Sequence, residues 1–189
     1  AGMELPYHLN TALPRLGRPT LGVVGDSLTA GTGEAHVVGW PAILDHEHGV
    51  DVRVHARAGA GVAEALKLAD EITPEEDLVL LEIGGNDLLG GTSAARFEEG
   101  LDRLLAKLAR PGRGVVMMEL PLPPTFNAFG RAQRRQAGRY GVLLIPKRVL
   151  LGVLLRPGAT SDTVHLTEAG AREMADAVWR ALSPAFAPR

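Results

Sequence analysis

Four short stretches of this chain carry the residue types that acyl transfer needs. "VVGDSLTAGTG", Val23 to Gly33, places Ser27 in a glycine-rich turn directly after an apolar run. "ARAGAGV" offers Gly59 and Gly61, "IGGND" offers Gly84, Gly85, Asn86 and Asp87, and "SDTVHLTEAG" offers Asp162 and His165. Acyl transfer requires a hydroxyl nucleophile, a base that takes its proton, an acid that orients the base, and donors for the developing oxyanion. Ser27 supplies the hydroxyl. The three-residue gap from Asp162 to His165 can set a carboxylate beside a ring nitrogen, which holds the ring and stabilises its protonated form. Asn86 brings a side-chain amide, and Gly59 a backbone N–H with no side chain to obstruct substrate.

Taken alone, each stretch has a plainer reading. A serine in a glycine-rich turn is more often a cap or turn hydroxyl, "GGND" is a favoured turn composition, and a single histidine before a helix is more often a packing residue. Scarcity sharpens the choice. Of the four serines, Ser93, Ser161 and Ser183 fall at a helix start, in a late loop and near the C-terminus, so only Ser27 follows a strand. The coincidence of four loops lifts the individual readings together.

The elements that must position these loops follow from apolar periodicity. Near-continuous apolar runs at Thr20–Gly25, Val50–Ala56, Asp77–Ile83, Gly114–Glu119 and Val142–Ile145 predict strands of a parallel sheet covered on both faces. Phe97, Leu101, Leu104, Leu105 and Leu108 share one helical face, and Pro111 and Gly112 end that helix. Further helices are expected near Trp40–His48, Val62–Asp70, Phe126–Tyr140 and Thr167–Leu182, with Thr167 as N-cap. Strand followed by helix, repeated about five times, is a three-layer α/β fold. Ligands in such folds bind at the carboxyl ends of the strands, where all four stretches fall.

Length and composition bound the rest. With 189 residues, 46% hydrophobic and 22% charged, the chain is expected to form one globular domain over residues 1–189, without repeats or linkers. A net charge of −2 gives no reason to expect nucleic acid as a partner. The absence of cysteine excludes disulfides, thiolate metal sites and cysteine nucleophiles, and leaves the redox compartment open. No apolar run approaches the roughly 20 residues of a bilayer span, and "AGMELPYHLN" lacks the layout of a signal peptide. Ala1 and Gly2 read as a remnant before a native Met3, consistent with a cytoplasmic protein unless a signal peptide was trimmed, in which case a periplasmic or secreted one.

The residues resemble the GDSL, or SGNH, hydrolase family, especially its small thioesterase, lysophospholipase and arylesterase-like branch. The blocks "GDSLTAG", "RAGAG", "GGND" and "DTVH" occur in the family's order, and the resemblance spans about Thr20 to Leu182. It implies a five-stranded parallel sheet between helices in a flavodoxin-like α/β/α sandwich. It also implies Ser27 as nucleophile, His165 as general base and then acid, and Asp162 as its orienter. The oxyanion hole would be the backbone N–H groups of Ser27 and Gly59 with the Asn86 amide, and no cofactor or metal is required. Val54 and Ala58 stand where relatives carry asparagine and serine or proline, so Gly61 competes with the favoured Gly59. Thr163 replaces a common glycine.

The rival readings fit less well. A phosphate-binding loop would need G-x-x-x-x-G-K-[ST] or G-x-G-x-x-G, and neither occurs after the first strand. An α/β-hydrolase elbow, G-x-S-x-G, fails at Thr29. "DHEH", Asp45 to His48, puts its histidines on different helix faces and reads as a polar helix end. A silent binding module would be expected to lack one of the reactive residues. For the substrate, a small-molecule acyl ester or thioester, Leu88, Leu89 and Phe126, with Leu122 and Phe129, could line an acyl groove or belong to the core. The alternative substrate class on the same scaffold is an acetylated carbohydrate.

Overall fold

The structure, a computed structural model, describes residues 12–31, 38–122, 127–162 and 165–187. Five parallel strands form one sheet: β1 Leu21–Gly25, β2 Val52–Ala56, β3 Leu78–Glu82, β4 Gly114–Met118 and β5 Leu143–Ile145, in the order β2-β1-β3-β4-β5. The helices are α1 Ser27–Ala30, α2 Trp40–His48, α3 Val62–Leu68, α4 Gly85–Leu89, α5 Ala94–Leu108, α6 Asn127–Tyr140, α7 Lys147–Leu154 and α8 Glu168–Leu182. A 3₁₀ turn, Ser183–Phe186, follows α8.

Strand periodicity divides the core in two. Successive side chains point to opposite faces. In β3, Val79 and Leu81 therefore face α3, α5 and α6, whereas Leu78 and Leu80 face α2, α7 and α8. The five residues predicted to share one face of α5 are all within 1% of complete burial. Phe97 among them stacks on Phe129 with ring centroids 4.9 Å apart.

The order reverses direction between β1 and β3, which opens a crevice above their carboxyl ends. Each of the five expected strands and all of the expected helices are found, with ends shortened by a residue or two. The exception in character is β2. As an edge strand it is half-buried, Val54 is 47% exposed, and His55 Nε2 lies 2.9 Å from the buried Glu76 carboxylate. No helix among the described residues is long and apolar enough to cross a membrane.

Four short elements were not anticipated: α1, α4, α7 and the 3₁₀ turn. The first two are single turns starting at the reactive loops, too short for a 3.6-residue pattern to show.

Candidate active site

Ser27 opens α1 immediately beyond the central strand β1. Asp26 caps this turn, its Oδ1 accepting the Leu28 N–H at 3.0 Å. Gly25 is required for the sharp exit, because a Cβ there would lie 2.3 Å from Thr29 Oγ1. The Ser27 side chain is half-buried beside a small recess of about 10 Å³, walled by Leu28, Trp40 and Leu166 among others. That volume holds about one water-sized group.

Asn86 sits in the first turn of α4, where the chain leaves β3 through Gly84 at φ +118°. That left-handed conformation, and a Cβ position 2.9 Å from Leu120 Cδ1, require glycine at 84. The Asn86 amide nitrogen donates to Asp26 Oδ2 at 2.9 Å and to the Ala60 carbonyl at 3.1 Å. Three loops, those after β1, β2 and β3, thereby meet at one side chain.

Asp87, grouped with Asn86 in the sequence, does different work. It is 6% exposed, and its Oδ2 accepts the Val62 N–H at 2.8 Å, capping α3 from across the site. Burial raises its pKa. Gly61 is packed against this carboxylate, its Cβ position 3.0 Å from Asp87 Oδ2, whereas Gly59 is exposed at φ +78° with nothing within 4 Å of its Cβ position. Of the two glycines, Gly59 is the one that leaves open space beside the crevice.

The fourth loop is a small pinned hairpin. Thr160 and Leu166 form an antiparallel bridge, the Ser161 N–H donates to the His165 carbonyl at 2.9 Å, and the Thr167 N–H donates to the Ala159 carbonyl at 2.9 Å. Within it, Asp162 grips His165 twice: Oδ1 accepts the His165 backbone N–H at 2.8 Å, and Oδ2 lies 2.7 Å from ring Nδ1. The tautomer with the proton on Nδ1 donates it to Asp162 and leaves Nε2 with a free lone pair. Leu166, next in sequence, walls the recess beside Ser27. The hairpin and the Ser27 turn therefore face each other.

Thr167 caps α8 as expected, accepting the Gly170 N–H at 3.2 Å. Gly170 lies so close to the hairpin that a Cβ would stand 1.9 Å from the Ala159 carbonyl oxygen. Gly170→Ala must therefore push the hairpin away. We expect a stability loss of roughly 1–3 kcal/mol in thermal unfolding, with a fall in kcat as His165 moves. A variant as active and as stable as the parent would show that the hairpin position is not critical.

One buried acid was not singled out from the sequence. Glu82, the last residue of β3, is 3% exposed; its Oε2 accepts Thr29 Oγ1 at 3.1 Å, and its carboxyl shares a hydrogen bond with Asp26. Burial, then the Asp26 charge, raise its pKa well above the usual 4.5. Burial likewise raises Asp26. The raised pKa favours the protonated form of Glu82, whose carboxyl hydrogen-bonds Asp26, while Asp26 also accepts from Leu28 and Asn86. The available signal was a charged residue ending the otherwise apolar run "LVLLE".

This arrangement has a pH consequence. The folded state retains a proton on Glu82 that the unfolded chain releases near pH 4.5, so this group lowers stability progressively as pH rises above that value. Glu82→Gln keeps a neutral donor and acceptor and removes the titration. Thermal melts from pH 4 to 8 should show the variant matching the parent at the acid end and exceeding it increasingly toward pH 8. A gap independent of pH would contradict a protonated Glu82.

Three of the suggested acyl-groove residues, Leu88, Leu122 and Phe129, share one cluster of the core. Leu88 packs against the core, Leu89 is 80% exposed, and Phe129 is a 6%-exposed core residue stacked on Phe97. Leu122 also packs against the core, and Phe126 lies outside the described residues. In "DHEH", His48 stacks on Trp179 at 4.5 Å. Donor atoms of Glu47, His48 and Asp176 come within 4.8 Å of one another, with Arg172 ion-paired to Glu47.

Comparison with known proteins places this geometry in a class. The fold superposes on the crystal structure of TesA with a TM-score of 0.75 and 31% identity, covering 88% of this chain and 99% of that one. In sequence it is 32% identical to esterase TesA of Pseudomonas aeruginosa over 87% of this chain and 88% of that protein. It is 36% identical to an arylesterase of Vibrio mimicus, a match covering 56% of each. The fold and site define a three-layer α/β/α hydrolase of ester bonds. The chain belongs to the GDSL-like lipase/acylhydrolase family, whose model matches residues 23–173.

Proposed function

We propose that the chain hydrolyses carboxylic esters or thioesters of acyl groups through a covalent acyl-enzyme on Ser27. The observation that carries this reading is the Asp162–His165 pair, held 2.7 Å apart on a hairpin facing the Ser27 turn. Ser27 Oγ attacks the acyl carbonyl as its proton passes to His165 Nε2, with Asp162 stabilising the imidazolium. The negative charge on the carbonyl oxygen is met by the N–H groups of Ser27 and Gly59 and by the Asn86 amide, which gives up its 3.1 Å bond to the Ala60 carbonyl to donate there. His165 then protonates the leaving alcohol or thiol, and a water deprotonated by the same ring releases the acid.

The relatives named as an arylesterase and an esterase support aryl and simple acyl esters as substrates. The test is labelling by a fluorophosphonate probe. Modification of Ser27 in folded protein, lost in heat-denatured protein, is expected; an unlabelled Ser27 in an enzyme active on p-nitrophenyl esters would overturn its role. Rates across p-nitrophenyl esters of increasing chain length, beside an acyl-CoA and an acetylated sugar, rank the substrate classes. Activity on the acetylated sugar alone would replace the acyl-ester reading by a carbohydrate deacetylase.

A further inference from the structure

A large cavity among the described residues lies away from the reactive loops. It measures about 760 Å³ and lies against the outer strand β5, between α7, α8 and the segment that precedes β1. Two strands, β3 and β4, separate β5 from β1 and Ser27. Its walls are aliphatic, with Leu13, Leu143, Val149, Val153 and Ala177. Its size falls within the range of small-molecule sites, about 300–1,000 Å³.

Among the described residues that line it, Arg15, Arg148, Arg156 and Arg180 are cationic and Glu173 is acidic. Glu173 is paired with Arg156 at 2.7 Å, which ties α7 to α8. This cationic lining is not general basicity, because the chain as a whole carries −2. The wall before β1 is anchored as well: the Leu16 and Gly17 N–H groups both donate to the Ala185 carbonyl, at 2.8 and 3.2 Å.

We propose that this cavity binds a fatty-acid anion, its alkyl chain against the aliphatic walls and its carboxylate at the arginine rim. The apolar volume requires a hydrocarbon body, and guanidinium groups pair with carboxylates through charge-assisted hydrogen bonds. Arginine stems can cover the chain while their heads remain in water. The acid released by hydrolysis of an acyl ester belongs to this ligand class. This ligand class follows from the cavity alone and is independent of the roles proposed for Ser27 and His165.

The experiment is a calorimetric titration of the full chain with dodecanoate below its micelle concentration. One saturable site is expected, with affinity rising about fourfold per methylene along a series of shorter acids. Gly152 lines the cavity from α7, and its Cβ position has nothing within 4 Å, so Gly152→Phe adds a bulky side chain at the cavity wall from an open Cβ position. It should weaken dodecanoate at least tenfold while leaving p-nitrophenyl acetate hydrolysis unchanged. Arg15→Glu with Arg180→Glu should weaken dodecanoate similarly but not dodecanol. Protein first labelled with fluorophosphonate should bind as the unlabelled protein does. Absence of saturable binding, binding indifferent to Gly152→Phe, or equal affinity for dodecanol would each overturn the proposal. Binding abolished by the label would assign the acid to the catalytic crevice, and binding only to phosphatidylglycerol vesicles would assign the arginine face to a membrane. Either result also overturns it.

Discussion

Replacing Ser27 by alanine is expected to lower kcat on a p-nitrophenyl ester by on the order of 10³–10⁶, with little change in KM. In the proposed mechanism the serine oxygen forms the acyl bond, so no neighbouring group can substitute for it. What remains is hydrolysis by bound water, assisted by oxyanion donors and substrate positioning. The loss should occur without a loss of fold. Asp26, whose carboxylate accepts the Leu28 N–H, still caps α1, and the Ser27 carbonyl still accepts the Gly31 N–H at 3.0 Å. Single-turnover measurements supply the second reading: the parent shows a burst of p-nitrophenol if deacylation is slow, and Ser27→Ala shows none. Retention of even a tenth of the parent kcat would remove Ser27 from the mechanism.

Asn86→Ala carries the next largest expectation, a fall in kcat of roughly 10²–10³. The amide would act as an oxyanion donor in the transition state, so its loss should appear in kcat and kcat/KM more than in KM. It also acts on the ground state. Its hydrogen bonds at 2.9 Å to Asp26 and 3.1 Å to Ala60 hold the loops after β1 and β2 to the loop after β3. Removing it leaves a buried carboxylate one donor short, at a cost of about 1–3 kcal/mol in unfolding free energy. The two effects separate by measurement. A fall in thermal stability with unchanged kcat would make Asn86 a positioning residue only, and a large fall in kcat at nearly unchanged stability would make it chiefly an oxyanion donor.

Legibility differed between elements for physical reasons. Four of the strands were visible because a parallel sheet covered on both faces needs unbroken apolar runs, and α5 because its five leucine and phenylalanine positions keep a 3.6-residue period. The edge strand β2 was read as fully covered like the others, although Val52, Arg53, Val54, His55 and Ala56 alternate apolar with polar as a half-buried strand does. Single turns such as α1 and α4 are too short for periodicity and are set by caps and glycines, which the sequence showed only as turn composition.

The sequence by itself pointed to Ser27, Asn86, Asp162 and His165 as the candidate reactive residues, because serine, asparagine and histidine are scarce in the chain and all four positions fall at strand ends and loop tips. It also determined the α/β architecture, which follows from patterning. Only the tertiary structure decided how these residues are held. Asp87 serves as a cap for α3 rather than as part of the reactive group, and Gly61 is occupied against it while Gly59 stays open. Glu82, Thr29, Asp26 and Asn86 form one hydrogen-bonded chain from residues up to 60 positions apart. The aliphatic cavity beneath four arginines likewise gathers residues from both ends of the chain. Burial and pairing are properties of neighbours in space, and no local window contains those neighbours.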